Sequence, residues 1–594
     1  MTYFKDKKII SPDLINQIRT KFQAFKNIVI EYCEESSIHG FKYIGERKRP
    51  FFDRIIWLLA VIISILLCYY LIGNIFNQRT KTPVIVTFNE KVTPVWDIPF
   101  PTVTICPETK YHKSLFNYTD VYFKFKYSKS ATKEEAFMWD AISQTCIESF
   151  FYFTFHSFLL FISEPSDLIK AMLTVAPTLD ETLSGCSWKK YNERVNESCQ
   201  ALFDTILTNE GICFTFNSLK SKYYSPELLK VRKADFIGTR FENDEEIKWD
   251  LENGYDPKAN EDAFPYRVLD AGDMQSLFLT LADRIEDKQE ICRKYFQGFK
   301  ILFHTPGEDI QVLSKNYVSV PLDQSVSIAI TPKVVTSDDL RHYTPEERQC
   351  YYQDEPKLMY FTVYTQANCE LEWLNNATLL ECECLRIGMP RNTTHPVCGY
   401  DSQYCVETIA SYHSILAFRR EKNIELDYFC KERGSCKSFC LPTCFSIEYK
   451  AEISHQNEID YAQVLKTNVD PYTNFRYNYS KTRISQVRIH FKDHQFNGLK
   501  RSELYSTTDL IANCGGLLGL FMGVSILSMV EFVYFFTLRI LTNWKNKNKI
   551  QEKRSSRNNA FWARSVRRPK IFKIRQSKPN SSIRFRKQKT INRY

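Results

Sequence analysis

The chain has 594 residues, 44% hydrophobic and 14% aromatic, with 79 Lys and Arg against 69 Asp and Glu for a formal net charge of +10. That apolar content excludes a disordered or collagen-like chain, and the length alone would suit about four ordinary soluble domains. Charge and apolar residues are unevenly spread, however, and their distribution excludes an ordinary cytosolic enzyme.

Residues 1–54 carry a net +4 and contain no apolar core of the kind a cleavable signal peptide needs. Between Arg54 and Arg79 no charged residue occurs, and residues 55–76 (IIWLLAVIISILLCYYLIGNIF) are enough to cross a hydrocarbon layer of roughly 30 Å at about 1.5 Å per residue. This predicts a transmembrane helix that serves as its own signal anchor. Ser149 to Ser163 is also uncharged, but a run of 15 residues with a His and several hydroxyls suits a buried or interfacial element better than a span. A second apolar run starts at Leu510 and resumes after Glu531 as far as Leu538, predicting a second span over 510–538.

Lys and Arg resist translocation. Arg47, Lys48, Arg49 and Arg54 precede the first span, and Arg539, Lys545, Lys547 and Lys549 follow the second, so both termini are expected in the cytoplasm. From Leu541 to Tyr594 there are 18 Lys and Arg and one acid, a net +17, whereas residues 77–509 sum to −11. The reading is therefore an acidic extracellular domain (77–509) and a basic cytoplasmic tail (539–594) facing anionic membrane lipid, where each cation near the surface is worth about 1 kcal/mol. Nucleic acid is not an expected partner.

Of the 19 Cys, Cys33 precedes the first span, Cys68 lies in it and Cys514 lies in the second, leaving an even set between Cys106 and Cys444. In an exported region these read as eight disulfides. Cys382 with Cys384, and the Cys436, Cys440, Cys444 ladder, have spacings that a thiolate metal site could also use, but the extracellular setting favours disulfides. Asn-x-Ser/Thr signals at Asn117, Asn196, Asn376, Asn392 and Asn478 fall in the same region, as a glycosylated ectodomain requires, while the signal at Asn580 in the tail should stay unused. Lys81 to Phe88, Thr102 to Ile105 and Val318 to Ile330 read as strands, and Leu277 to Lys294 and Ser411 to Lys422 as helices. The fold class expected is thus a membrane protein with two transmembrane helices and a large α+β disulfide-rich ectodomain.

The second span holds Gly515, Gly516, Gly519 and Gly523, and Gly515, Gly519 and Gly523 share the i, i+4, i+8 stripe of a helix. Gly costs about 1 kcal/mol against Ala inside a helix, so the cluster predicts close backbone approach, either for helix packing or for a pore in which several copies meet at an axis. Glu531 is expensive in an apolar segment unless it faces water or a partner, and Gly523-Val524-Ser525 about two turns earlier offers a hydroxyl and flexible carbonyls that can replace part of a cation's hydration shell. Two spans cannot enclose a pore alone, so this reading requires a cyclic oligomer.

Six further motifs stand in order. They are Ser37-Ile38-His39-Gly40, Phe100-Pro101-Thr102-Val103-Thr104-Ile105-Cys106 and Gly211-Ile212-Cys213-Phe214-Thr215-Phe216-Asn217. Then come Cys382-Glu383-Cys384 with Met389-Pro390, Cys440-Leu441-Pro442-Thr443-Cys444 with Tyr449, and Gly515-Gly516 with Gly519-Leu520-Phe521. Together they resemble the degenerin and epithelial sodium channel family, most closely its insect pickpocket branch. The resemblance implies a β palm, a helical thumb and a homo- or heterotrimeric, voltage-independent, sodium-permeable, amiloride-sensitive channel, opened by an extracellular ligand or by force in sensory or epithelial cells. It implies a selectivity filter at Gly523, Val524 and Ser525, with sodium held transiently at Ser525 and no other cofactor or metal. Glu531, Gly519, Gly516 and Gly515 would line the pore, and His39, Gly40 and Ala512, the last at the small-residue degenerin position, would act in gating. It also implies the pairs Cys106–Cys213, Cys186–Cys199, Cys350–Cys444, Cys369–Cys440, Cys382–Cys405 and Cys384–Cys398, with Cys146, Cys292, Cys430 and Cys436 undecided.

The rival is a two-pass receptor or adhesion protein in which the Gly stripe only packs helices, or a nonconducting accessory subunit. ATP-gated channels share the two-span plan but lack these motifs. No HExxH, phosphate loop or GxSxG occurs, so no enzyme is expected.

Overall fold

The computed structural model describes residues 12–553 apart from 128–130, 147–164, 190–198, 220–222, 236–247, 293–295, 310–316, 422–439, 462–480, 543–544, 546–548 and positions 47, 290 and 551. The apolar segment 149–163, Asn196, Asn478, Cys430, Cys436 and almost all of the basic tail lie outside the described residues. The chain divides into a unit built from both of its ends, up to Gln78 and from Tyr505, and a unit of residues 79–504. In chain order the helices used below are α1 (Pro12–Glu35), α2 (Phe41–Gly45), α3 (Phe51–Lys81), α4 (Tyr118–Lys126), α5 (Lys133–Ser143), α6 (Gln366–Cys382), α7 (Gln403–Glu421), α8 (Thr507–Met522) and α9 (Ile526–Val533).

The 79–504 unit is built on two sheets. Its strands are β1 (Val84–Pro94), β2 (Thr102–Pro107), β3 (Leu183–Trp188), β4 (Phe203–Thr208), β5 (Gly211–Phe216), the short pair β6 (Trp249–Asp250) and β7 (Gly254–Tyr255), and β8 (Leu277–Arg284). They continue with β9 (Gly298–His304), β10 (Val318–Pro321), β11 (Gln324–Ser337), β12 (Ser446–Glu458), β13 (Thr482–Phe491) and β14 (Gln495–Glu503). The larger sheet runs β1-β14-β11-β13-β8-β3 with β12 also on β11, and the smaller runs β10-β9-β2-β5-β4. β1 and β14, which follow α3 and precede α8 in the chain, pair antiparallel from Val84 opposite Glu503 to Pro94 opposite Gln495.

The β-branched run of β2 is explained by its surroundings. Thr102, Val103, Thr104, Ile105 and Cys106 are all fully buried, so both faces of this strand are covered and no alternation survives. Its hydroxyls are satisfied internally: Thr104 Oγ1 donates to Thr215 Oγ1 at 3.1 Å and Thr102 Oγ1 to the Asn217 carbonyl at 2.7 Å. Asn217, at φ 60°, donates from Nδ2 to the Phe100 carbonyl and accepts the Tyr266 amide, while the Tyr449 hydroxyl donates to the Pro99 carbonyl at 2.8 Å. Three of the motif segments thus meet around one buried strand.

Leu277 to Lys294 is not a helix. Residues 277–284 form β8 between β13 and β3, with Leu277, Leu279 and Leu281 buried at a period of two, and among the described residues that follow to position 292 only Ile285–Asp287 turn helically, as a single 3-10 element. The acids and Lys that suggest a helix lie mostly past the strand's end. Val318 to Ile330 is two strands separated by Leu322-Asp323, with Asp323 at φ 64°.

Seven disulfides are present among the described residues, comprising the six pairs implied by the resemblance together with Cys146–Cys292. Cys33, Cys68 and Cys514 are free. α6 and α7 are joined by Cys382–Cys405, and Cys384–Cys398 and Cys369–Cys440 tie the segments that flank them, so this helical pair is stapled as well as packed. Asn117 caps α4, and Asn376 on α6 is exposed. Asn392 holds a turn by accepting from Thr394 and His395.

A buried ionic network joins the residues just past β2 to β9 and to the turn between β4 and β5. Lys300 pairs with Glu108 and Glu210 at 3.1 Å, and Lys110 with Glu210 at 3.3 Å. Nearby, His112 places Nδ1 2.7 Å from Asp287 and Nε2 3.2 Å from Glu181, which also accepts from Arg284 at 2.8 Å. Asp283 accepts from Thr109 Oγ1 at 3.0 Å, yet burial pushes its carboxyl up to about 6, with Asp287 acting in the same direction and His112 against it. The fold disfavours the charged form, so the contribution of Asp283 to stability is complete below the ordinary carboxylate pKa and is lost as pH rises through about 6. Asp283→Asn should therefore stabilise the protein at pH 7 by roughly 3 kcal/mol and change little at about pH 3. Thermal unfolding of the detergent-solubilised full chain at the two pH values checks this, and an equal gain at both would exclude Asp283 as the titrating group.

Candidate functional site

The terminal unit holds the apolar helices. α3 is 31 residues long, enough to span, and α8 with the helix that follows it reaches spanning length only as a pair bent by 71°. The expectation of one continuous second helix is thereby corrected, and the break falls on Gly523-Val524-Ser525.

Local chemistry dictates this break. α8 starts with a capping box in which Ser506 Oγ accepts from the Asp509 amide and Asp509 accepts from the Ser506 amide. It ends where Gly523 adopts φ 68°, a left-handed conformation cheap only for Gly, with its amide donating to the Gly519 carbonyl at 2.9 Å. Gly523 has therefore left the helical stripe that Gly515 and Gly519 share. Two residues later a second capping box starts α9: Ser525 Oγ accepts from the Ser528 amide at 3.3 Å, and the Ser525 amide donates to Ser528 Oγ at 3.2 Å. The chain then continues through α9 into a π-helical turn at Tyr534–Leu538.

The segment between α1 and α2 fits into this break. The His39 amide donates to the Met522 carbonyl at 2.9 Å, satisfying one of the groups that the end of α8 leaves open. The His39 ring occupies the place a side chain at Gly523 would need, since a Cβ there would lie 2.8 Å from it. Ser37 donates to Glu531 Oε2 from its amide at 3.3 Å and from Oγ at 2.9 Å, and its Oγ lies 2.9 Å from Ser528 Oγ. Glu531 thus has a partner within the apolar segment, which removes part of its cost there.

Two further contacts fix the segment. Tyr32 of α1 packs its ring edge-on against Phe532, Phe535 and Phe536 at 5.4–5.8 Å between centroids. Arg539 pairs with Glu35 at 2.9 Å and with Glu31 one turn earlier, and lies over the Phe535 ring at 4.5 Å. Tyr43 of α2 packs its ring, tilted by 31°, against Trp57 of α3 at 4.3 Å between centroids.

His39, Gly523, Ser525 and Glu531 therefore come together, with Gly40 adjoining them. Ala512, Gly515 and Gly516 stand apart on an exposed stretch of α8, and a Cβ at either Gly would meet nothing within 4 Å. Sequence reasoning named Ser37 only as part of the His39-Gly40 motif, without a role of its own, and missed Ser528, Tyr32 and the Arg539 pair. The Gly followed two residues later by a Ser, with another Ser three residues on, was a readable stop-and-start signal. Among the described residues no group of His, Cys, Asp and Glu could hold a metal ion.

Gly40 sits at φ 85°, and a Cβ on it would lie 2.6 Å from Val61 Cγ2. Gly40→Ala should loosen the 37–49 segment by about 1–2 kcal/mol, raising the rate of tryptic cleavage after Lys48 roughly tenfold. An unchanged cleavage rate would show that this packing does not hold the segment.

The family profile described as "Amiloride-sensitive sodium channel" matches residues 32–535. Pickpocket protein 28 of Drosophila melanogaster is 28% identical over 528 residues, covering 87% of this chain and 79% of that one. The sodium channel protein Nach of the same fly is 21% identical over 560 residues, with coverage of 90% and 92%. The mouse bile acid-sensitive ion channel is 22% identical over 534 residues, with coverage of 85% and 87%.

Proposed function

The chain belongs to the amiloride-sensitive sodium channel family, and from that premise we propose that it is a pore-forming subunit whose ion pathway runs past the Gly523-Val524-Ser525 break. A family of ion channels is not a family of enzymes. In this reading α3 and the bent α8–α9 pair are the two spans, both termini are cytoplasmic, and three subunits, alike or related, surround the axis in the plasma membrane. The observation that carries it is the break itself, with the His39 segment docked on it. A membrane helix interrupted by a Gly cap and a Ser cap frees backbone and hydroxyl oxygens at one level, and such irregular backbone is tolerated at membrane depth where it is buried in protein or lines a water-filled path.

Charge supports cation passage. The net −11 over residues 77–509 concentrates cations near an extracellular mouth to a degree that salt screens, and Glu531 rejects anions within the path. The exposed position of Ala512 on α8 suits close approach by neighbouring copies in a closed state. Opening follows an extracellular chemical or mechanical stimulus, and amiloride blocks the current.

Ala512→Val should prop the pathway open, giving a constitutive, amiloride-sensitive inward sodium current in cells that show the protein on their surface. Unaltered conductance with surface oligomers present would favour the receptor or accessory reading. In the same open background, Ser525→Cys should make the current sensitive to cadmium or a thiol reagent. A current indifferent to both would move the filter away from Ser525.

A further inference from the structure

The polar groups at the break form a chain whose direction can be assigned. Glu531 Oε2 accepts twice from Ser37, once from the amide and once from the hydroxyl, and the charged acceptor takes the hydroxyl proton in preference to a neutral one. With its single proton committed, Ser37 Oγ can only accept from Ser528 Oγ, 2.9 Å away. Ser528 Oγ in turn accepts from the Ser525 amide and from Ser525 Oγ, both at 3.2 Å. The hydroxyls are ordered Ser525 to Ser528 to Ser37 to Glu531, and every proton points towards the carboxylate.

Such a chain has an electrostatic consequence. Hydrogen bonds that end on an anion polarise one another, leaving more negative charge on each donor oxygen. Ser525 Oγ lies at the far end, exposed, with its proton turned away. Among the described residues no donor engages Glu531 Oε1, so that oxygen is presented while its partner is held. Among the described residues only Ser37, 488 residues earlier than Ser525, joins Glu531 to the serine pair.

We propose that Ser37 is a positioning residue for ion selectivity, linking Glu531 to Ser528 and Ser525 so that their oxygens form one fixed, polarised set matched to a partly dehydrated sodium ion. The proposal rests on the ion pathway proposed above. A fixed set of oxygens discriminates because the larger potassium ion must push them apart. Without the Ser37 hydroxyl, Glu531 and Ser528 move independently and the set yields to either ion.

The test has two parts. In the full chain, Ser37→Cys with Ser528→Cys should form a disulfide on mild oxidation. A protease site placed between Cys444 and the second span reads it, because every described native disulfide lies before that cut and only the new bond retains the C-terminal fragment under non-reducing conditions. Failure to retain it overturns the juxtaposition. In the Ala512→Val background, Ser37→Ala should lower the sodium-to-potassium permeability ratio about threefold or more, which is less than the full worth of one hydrogen bond to a charged group. Ser37→Thr should restore the ratio, and adding Ser37→Ala to Glu531→Gln should change nothing further. An unchanged ratio in a conducting Ser37→Ala channel, or full additivity with Glu531→Gln, overturns the proposal and leaves the pathway standing. Absence of current in the Ala512→Val parent, alone or with a related subunit, overturns the pathway and the proposal with it, whatever the cross-link reports.

Discussion

Everything at the candidate site depends on one constraint: a helix broken inside an apolar segment must find partners for the backbone groups that the break sets free. α8 ends at Met522 and α9 begins at Ile526, so the carbonyls of one end and the amides of the next both need partners over three residues. Ser525 and Ser528 meet part of this demand through their mutual capping box, and Gly523 meets part by turning left-handed. The His39 amide supplies another donor, and Ser37 extends the polar network to Glu531. The Ser37-to-Gly40 motif and the Gly523-to-Ser525 motif are thus two sides of one solution, although nearly the whole chain separates them.

The same constraint explains what the sequence did and did not disclose. The apolar helix at Phe51–Lys81, the paired Cys set and the buried strand Thr102 to Ile105 were legible because each is a local property of composition or period. The strand β8 was not, because its alternating Leu277, Leu279 and Leu281 run into Asp283, Arg284 and the acids beyond, and a window spanning both averages a strand with the turn that ends it. The break was hidden for a related reason. Hydropathy sees 510–538 as one run, whereas the signal lies in backbone chemistry, a Gly able to reach φ 68° followed by a Ser able to cap. The role of Ser37 could not be read from its surroundings, since it comes from Glu531, 494 residues away.

The ectodomain obeys a different economy. Its smaller sheet has a central strand covered on both faces, and the polar groups it buries are satisfied by one another: Thr104 by Thr215, Asn217 by Phe100 and Tyr266, Tyr449 by Pro99. Lys110, Lys300, Glu108 and Glu210 add buried ion pairs, whose worth lies less in net stability than in the penalty for separating any one partner. Such a network tolerates little local rearrangement. Seven disulfides act on the same side of the balance, and three of them cluster about α6 and α7, so this helical pair moves as a body rather than by fraying.

At the terminal unit the economy is reversed, with few covalent ties and many small contacts. Tyr32 against three Phe rings, Arg539 between two acids, and His39 in the space of a missing side chain are each worth little alone, and the exposed ion pairs less than the aromatic ones. Their sum holds one short loop against the break, and the loop's own Gly40 sits where a side chain would push it away. Weak contacts in series make an element that can be displaced without unfolding its neighbours, which is what a reversible switch requires and what a disulfide would forbid. Among the described residues the three free cysteines all lie in this unit, Cys33 beside Gly45, Cys68 in α3 and Cys514 in α8, so for those residues the division between locked and unlocked parts of the chain coincides with the division between paired and unpaired sulfur.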